Sequence, residues 1–204
     1  WLNEIHLTKK IKWSRGLRAD RIRLAASDHF LSDGDQSGSR NIARLNPSLG
    51  ITGRINSGIN LFANVNSSYE TPTLNELSAN PNGLGGFNNA LKPQSALSFE
   101  TGARGRLSKF LQYELALFQI LLHDEFVPFQ LAQQPGRTFY KNAGKSERKG
   151  IEIALNGSIF TGLSYAFSYT FSQFKYTDYE STGIRFDGNQ QPGIPKHLVF
   201  TELR

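Results

Sequence analysis

Apolar and polar residues alternate with a period of two over long stretches of this chain, and helical spacing is almost absent. The clearest stretch covers residues 163–171. Leu163, Tyr165, Phe167, Tyr169 and Phe171 fall on one side, while Ser164, Ala166, Ser168 and Thr170 fall on the other. Ile59, Leu61, Ala63, Val65 and Tyr69 likewise oppose Asn60, Asn64, Asn66, Ser68 and Glu70. Leu97, Phe99, Ala103 and Leu107 oppose Ser98, Glu100, Arg104 and Arg106, and Ile151, Ile153 and Leu155 oppose Glu152, Ala154 and Asn156. Strands of soluble proteins average about five or six residues, whereas these windows approach the roughly ten that a tilted strand needs to cross a bilayer. Length favours the membrane. Bulges are expected near residues 19–22 and 173–174, where the alternation slips.

The connections carry an independent signal. Tight turns are expected at residues 8–10, 56–58, 107–110 and 156–162, and long polar loops at 32–39, 71–94, 128–138 and 177–193. Short turns alternating with long loops belong to an up-and-down barrel, with the turns on the periplasmic side and the loops outside. A Greek-key sandwich has no reason to keep that order. Within the longest loop, Thr73-Leu74-Asn75-Glu76 fits a capping box and predicts one helical turn. The resulting expectation is an all-β fold: a section of a large antiparallel up-and-down transmembrane β-barrel. About nine strands or part-strands are expected, an odd number, and residues 198–204 read as a strand that stops midway. Residues 1–204 are therefore expected to be one partial barrel domain, with further strands on both sides.

Composition changes this picture little. The hydrophobic fraction is 38% and mean hydropathy is −0.40, and no run approaches the roughly 18 apolar residues of a spanning helix. A barrel wall, apolar on one face only, averages out to such values. The net charge is +6, but basic and acidic residues are interspersed, so nucleic-acid binding is not expected. Cys is absent, which removes disulfides and thiolate metal sites.

Candidate chemistry is sparse. Gly144-Lys145-Ser146 lacks the glycine five positions earlier that a phosphate loop requires, since position 139 is Phe. His123, Asp124 and Glu125 would alternate on a strand, with His123 and Glu125 on one face, so a metal site is not expected there. Glu100, Arg104 and Arg106 should line the lumen, where they would meet a solute, a domain inside the barrel or other lumenal charges. The aromatic stripe of Tyr165, Phe167, Tyr169, Phe171, Phe174 and Tyr176 should face lipid, with Tyr near the interfaces. No nucleophile–base pair or catalytic dyad stands out, so no enzyme activity and no cofactor are expected.

Several segments together resemble the TonB-dependent outer-membrane receptors. These are Leu61-Phe62-Ala63-Asn64-Val65 with Tyr69-Glu70-Thr71-Pro72-Thr73-Leu74-Asn75-Glu76-Leu77, then Leu91-Lys92-Pro93-Gln94 with Phe99-Glu100-Thr101-Gly102. Asp124-Glu125-Phe126-Val127 follows, then Tyr140-Lys141-Asn142-Ala143-Gly144-Lys145-Ser146 with Lys149-Gly150-Ile151-Glu152, and finally Pro192-Gly193-Ile194-Pro195-Lys196-His197. Their order is the family's order, and they span the middle and later barrel strands. The "NAGK…RKGIE" segment is most similar to the siderophore and ferric-citrate branch. The resemblance implies a receptor in the outer membrane of a Gram-negative bacterium that imports an iron–siderophore or similar chelate with energy supplied through the TonB complex. It implies as partners a plug domain inside the barrel, the TonB complex and outer-membrane lipid. A passive pore or structural barrel, and a soluble β-rich binding domain, are the alternatives. On the loops expected to meet the ligand, Arg137, Tyr140, Lys141 and Arg185 are candidates to hold an anionic chelate by charge-assisted hydrogen bonds.

Overall fold

The computed structural model describes every residue of the chain except Leu84 and Thr182, and all their side chains but those of Asp33 and Ala143. The strands are β1 (Leu2–His6), β2 (Ile11–Ala26), β3 (Gly38–Arg54), β4 (Asn60–Glu70), β5 (Gln94–Ser108), β6 (Leu111–Leu131), β7 (Gln134–Phe160), β8 (Leu163–Ser181), β9 (Ile184–Arg185) and β10 (His197–Leu203). A single α-helical turn, α1 (Leu74–Ser78), lies between β4 and β5, and a 3-10 turn covers Leu31–Asp33. All ten strands join one antiparallel sheet. Nine follow each other in the order β1-β2-β3-β4-β5-β6-β7-β8-β10, and the two-residue β9 pairs with β8 off that path. Leaving the short β9 aside, each strand pairs with the next in sequence, as in an up-and-down barrel wall.

The register assigns the faces, because directly paired residues share one. Trp13, Ile51, Ala63, Thr101, Leu117, Ile151, Phe171 and His197 form one continuous row across the sheet. This face is exposed although apolar: Leu117 is 48% exposed, Ile51 47% and Leu61 45%. The opposite face is polar yet better covered, with Phe62 at 7% and Ala116 at 5%. A curved wall produces that contrast, crowding side chains on its concave side and splaying them on its convex one. In β8, Phe167, Tyr169 and Phe171 pair with Leu155, Ile153 and Ile151, so the aromatic stripe is convex and Ser168, Thr170 and Ser172 are concave. Eight steps from Leu163 to Phe171, at about 3.3 Å each and tilted by roughly 40°, rise about 20 Å, close to the height of a lipid-facing band. Glu100, Arg104 and Arg106 are on the concave side as expected. The Arg104 guanidinium lies 5.4 Å from the Phe62 ring.

Two concave glycines make room for aromatic rings. Phe62 pairs with Gly102, and Phe118 with Gly150. A Cβ at Gly150 would stand 2.6 Å from the Phe118 ring and 2.2 Å from the carbonyl oxygen of Phe171. Gly150→Ala is therefore expected to destabilise the wall by about 1–3 kcal/mol, through overpacking. Urea unfolding of the receptor in lipid vesicles would measure it, against Gly53→Ala, where a Cβ meets nothing within 4 Å.

Three sequence expectations need correction. Residues 128–138 are not a long loop. Strands β6 and β7 continue as a hairpin of 21 and 27 residues, because Phe126 to Phe129 keep pairing with Phe139 to Asn142 beyond the neighbouring strands. No bulge occurs at 19–22 or at 173–174, where the pairing is regular; Phe174 and Tyr176, paired with Arg148 and Ser146, therefore face the concave side and not lipid. The register shifts instead at His123/Glu125, Glu125/Phe126 and Lys145/Ser146, which places bulges at Asp124, Ala143 and Thr177.

Candidate functional site

The wall has a notch at one end. Strands β4 and β5 meet at the pair Glu70–Gln94, whereas β3 continues alongside β2 to Gly38, and β6 and β7 continue to their tip. Residues 71–93 fill the gap. The capping box forms: Thr73 Oγ1 accepts from the Glu76 backbone N–H at 3.3 Å, and Glu76 Oε2 accepts from the Thr73 N–H at 2.7 Å. The turn points Leu77 inward, where it is fully buried with Phe87 and Leu91 against Leu24, Phe126 and Tyr140. Polar ties fix both sides of the notch. Arg40 Nη1 donates to the carbonyl oxygens of Asn88 and Leu91 on the β3 side. On the β7 side, Asn142 Oδ1 accepts from the Lys92 N–H at 2.6 Å while its Nδ2 donates to the Lys92 carbonyl at 2.8 Å. This loop completes the rim of the wall; it is packed into place.

The four candidate ligand residues fall into different surroundings. Arg137, Tyr140 and Lys141 lie on β7, not in a loop. Arg137 stands over the Phe139 ring at 5.2 Å and Lys141 over the Phe129 ring at 5.8 Å, as a cation–aromatic comb at the hairpin tip. Tyr140 packs on the loop's apolar cluster. Tyr140 and Lys141 border one cavity of about 290 Å³ with Asn88, Lys92 and Asn142; neither Arg137 nor Arg185 reaches it. Arg185, on β9, is held by Asp187 at 2.7 Å and Asp178 at 3.6 Å. The Tyr179 backbone N–H, and then Arg185, hold the Asp187 carboxyl below the usual carboxylate range. The two carboxylates offset the charge that Arg185 would offer an anion.

Sequence reasoning missed another group. Glu125 Oε1 accepts from Arg148 Nη2 at 3.0 Å on the concave wall, with the Glu125 side chain only 11% exposed. Arg148 also lies 5.5 Å from the Phe174 ring, whose edge meets Phe118. A cavity of about 320 Å³ opens beside the pair, bordered by Gln94, Tyr176 and Gln191 among others. Alternation alone puts Glu125 beside His123 on the convex face. The bulge at Asp124 reverses that, and no residue type in the sequence announces it.

The comparisons with known proteins agree with this architecture. The family model described as "TonB dependent receptor-like, beta-barrel" matches residues 2–203. An uncharacterized TonB-dependent receptor of Haemophilus influenzae is 30% identical over 111 residues, which cover 54% of this chain and 31% of that protein. The probable TonB-dependent siderophore receptor PiuA of Acinetobacter baumannii is 25% identical over 97% of this chain and 27% of its own length. Its crystal structure superposes with a TM-score of 0.73 over 99% of this chain and 30% of that one, at 21% identity. The ferric yersiniabactin uptake receptor FyuA of Yersinia pestis gives a TM-score of 0.71 over 98% of this chain and 29% of that one, at 16% identity. The chain thus spans less than a third of the length of these relatives. With its antiparallel strands in sequence order, its two-faced wall and the match over 2–203, the chain belongs to the TonB-dependent receptor β-barrel family.

Proposed function

We propose that this chain is part of the barrel wall of an outer-membrane receptor that imports a ferric siderophore or similar iron chelate, using energy delivered through TonB. The observation that carries the reading is the two-faced wall, apolar where it is exposed and polar where it is concave, joined to a rim packed with Asn, Lys and aromatic side chains. Such a wall separates lipid from a polar interior, which a transport path needs. The siderophore receptors among its structural relatives supply the class of solute. A plug domain inside the barrel would close the path until chelate binds and TonB pulls.

A strain lacking the receptor gene is expected to fail to grow on at least one defined ferric chelate as sole iron source. The full-length gene should restore growth only while the inner-membrane proton gradient is intact. Equal growth of deletant and parent on every chelate would contradict the proposal. Restored uptake that survives collapse of the gradient would identify a passive pore instead.

A further inference from the structure

Three bulges lie side by side on β6, β7 and β8, at Asp124, Ala143 and Thr177. Asp124 has φ of +58°, the left-handed region that a non-glycine residue rarely occupies, and Asn142 Nδ2 holds its carbonyl oxygen at 2.7 Å. Irregular backbone of this kind is retained where a side chain has to be re-aimed. Here the re-aimed side chain is Glu125. Its pairing with Arg148 is incomplete. Among the described residues, four buried side-chain polar atoms have no hydrogen-bond partner, and three of them meet at this point: Glu125 Oε2, Arg148 Nε and Ser146 Oγ. Glu125 is 9% exposed and Ser146 2%. An unpaired buried donor or acceptor destabilises a fold. Glu125 and Arg148 both border a cavity of about 320 Å³, and their unpaired atoms indicate groups kept for a partner that enters it.

We infer that Glu125 and Arg148 form a subsite on the inner wall that holds an uncharged hydroxyl or amide group of the transported solute. The inference rests on the import reading above. The charge balance selects the ligand class. Arg148 is already neutralised by Glu125, so the subsite offers no net positive charge to an anion. A hydroxyl or amide both donates and accepts, and so can satisfy Glu125 Oε2 and Arg148 Nε together. A carboxylate would satisfy Arg148 Nε but meet Glu125 Oε2 acceptor to acceptor, with like charges opposed. Tyr176, Gln94 and Gln191, which border the same cavity, add polar groups without adding charge.

The test uses the purified full-length receptor and three ferric chelates of different charge: ferrichrome (a neutral, amide-rich trihydroxamate), ferric enterobactin (a tris-catecholate trianion) and ferric citrate (an anionic carboxylate). Ferrichrome is expected to bind tightest. Glu125→Gln, nearly the same shape without the charge, should move the ratio of affinities about tenfold towards the anionic chelates. Tighter binding of an anionic chelate by the unmodified receptor would overturn the subsite, as would an affinity ratio that Glu125→Gln leaves unmoved, while import itself stands. An unmoved ratio with faster proteolysis of the plug would mean that Glu125 and Arg148 hold the plug, which also overturns it. If none of a wider set of ferric chelates is bound or imported, the import reading fails and the subsite with it.

Discussion

Leu117→Arg is expected to lower the stability of the membrane-inserted barrel by about 2–4 kcal/mol, or to block insertion altogether. Leu117 lies in the middle of the convex apolar row, paired with Thr101 and Ile151. Its 48% exposure would be an ordinary surface value in water, where an arginine costs little. In a lipid-facing wall the same position is among the worst for a charge. Asn64→Arg provides the control, because Asn64 is concave and pairs with Glu100. That substitution should stay within roughly 0.5 kcal/mol. Heat-modifiable migration and urea unfolding in lipid vesicles would separate the two variants. Equal stability would mean that the convex face does not touch lipid.

The second large effect is expected in the rim. Leu77→Ala and Leu91→Ala should each destabilise the packed loop by about 2–5 kcal/mol, because both side chains are almost fully buried and the backbone around them is tied down. Leu74→Ala, at 43% exposure on the same helical turn, should have little effect. The strands below do not depend on the loop for their pairing, so the loss should take the form of local opening, with rapid proteolysis between residues 71 and 93 while the barrel stays assembled. A deletion of residues 77–89 should likewise leave an assembled barrel but remove chelate uptake. Uptake at the parental level by a well-assembled deletant would show that the rim has no part in transport.

Most of the wall was legible from residue types alone. Strand alternation is a local property, and Leu163 to Phe171 or Leu61 to Val65 show it without reference to any neighbour. The capping box at Thr73 and Glu76 is equally local, and it formed. What stayed hidden depends on pairing between strands. Nothing in Pro128, Gly136 or the glutamines between them says that β6 and β7 continue to a two-residue turn, since that hairpin draws its support from residues 71–93. The bulge at Asp124 is a one-residue offset against β7, so Glu125 reads as convex until the register is known. Ser146 reads as part of an incomplete phosphate-loop motif, and Arg148 as one of many interspersed charges. Among the ligand candidates, charge type drew attention to Arg185, but its two carboxylate partners lie at Asp178 and Asp187, beyond what spacing reveals.

The account stands on which face of the wall meets lipid, and the chain suits a direct measurement because it contains no Cys. Single cysteines at positions 151 to 156 of β7, in the full-length receptor on a background otherwise free of cysteine, can each carry a nitroxide. Accessibility to oxygen, which concentrates in lipid, should be high at 151, 153 and 155 and low at 152, 154 and 156. Accessibility to a water-soluble nickel chelate should be low at 151, 153 and 155. The reverse phase, or no alternation at all, would contradict the membrane-spanning wall.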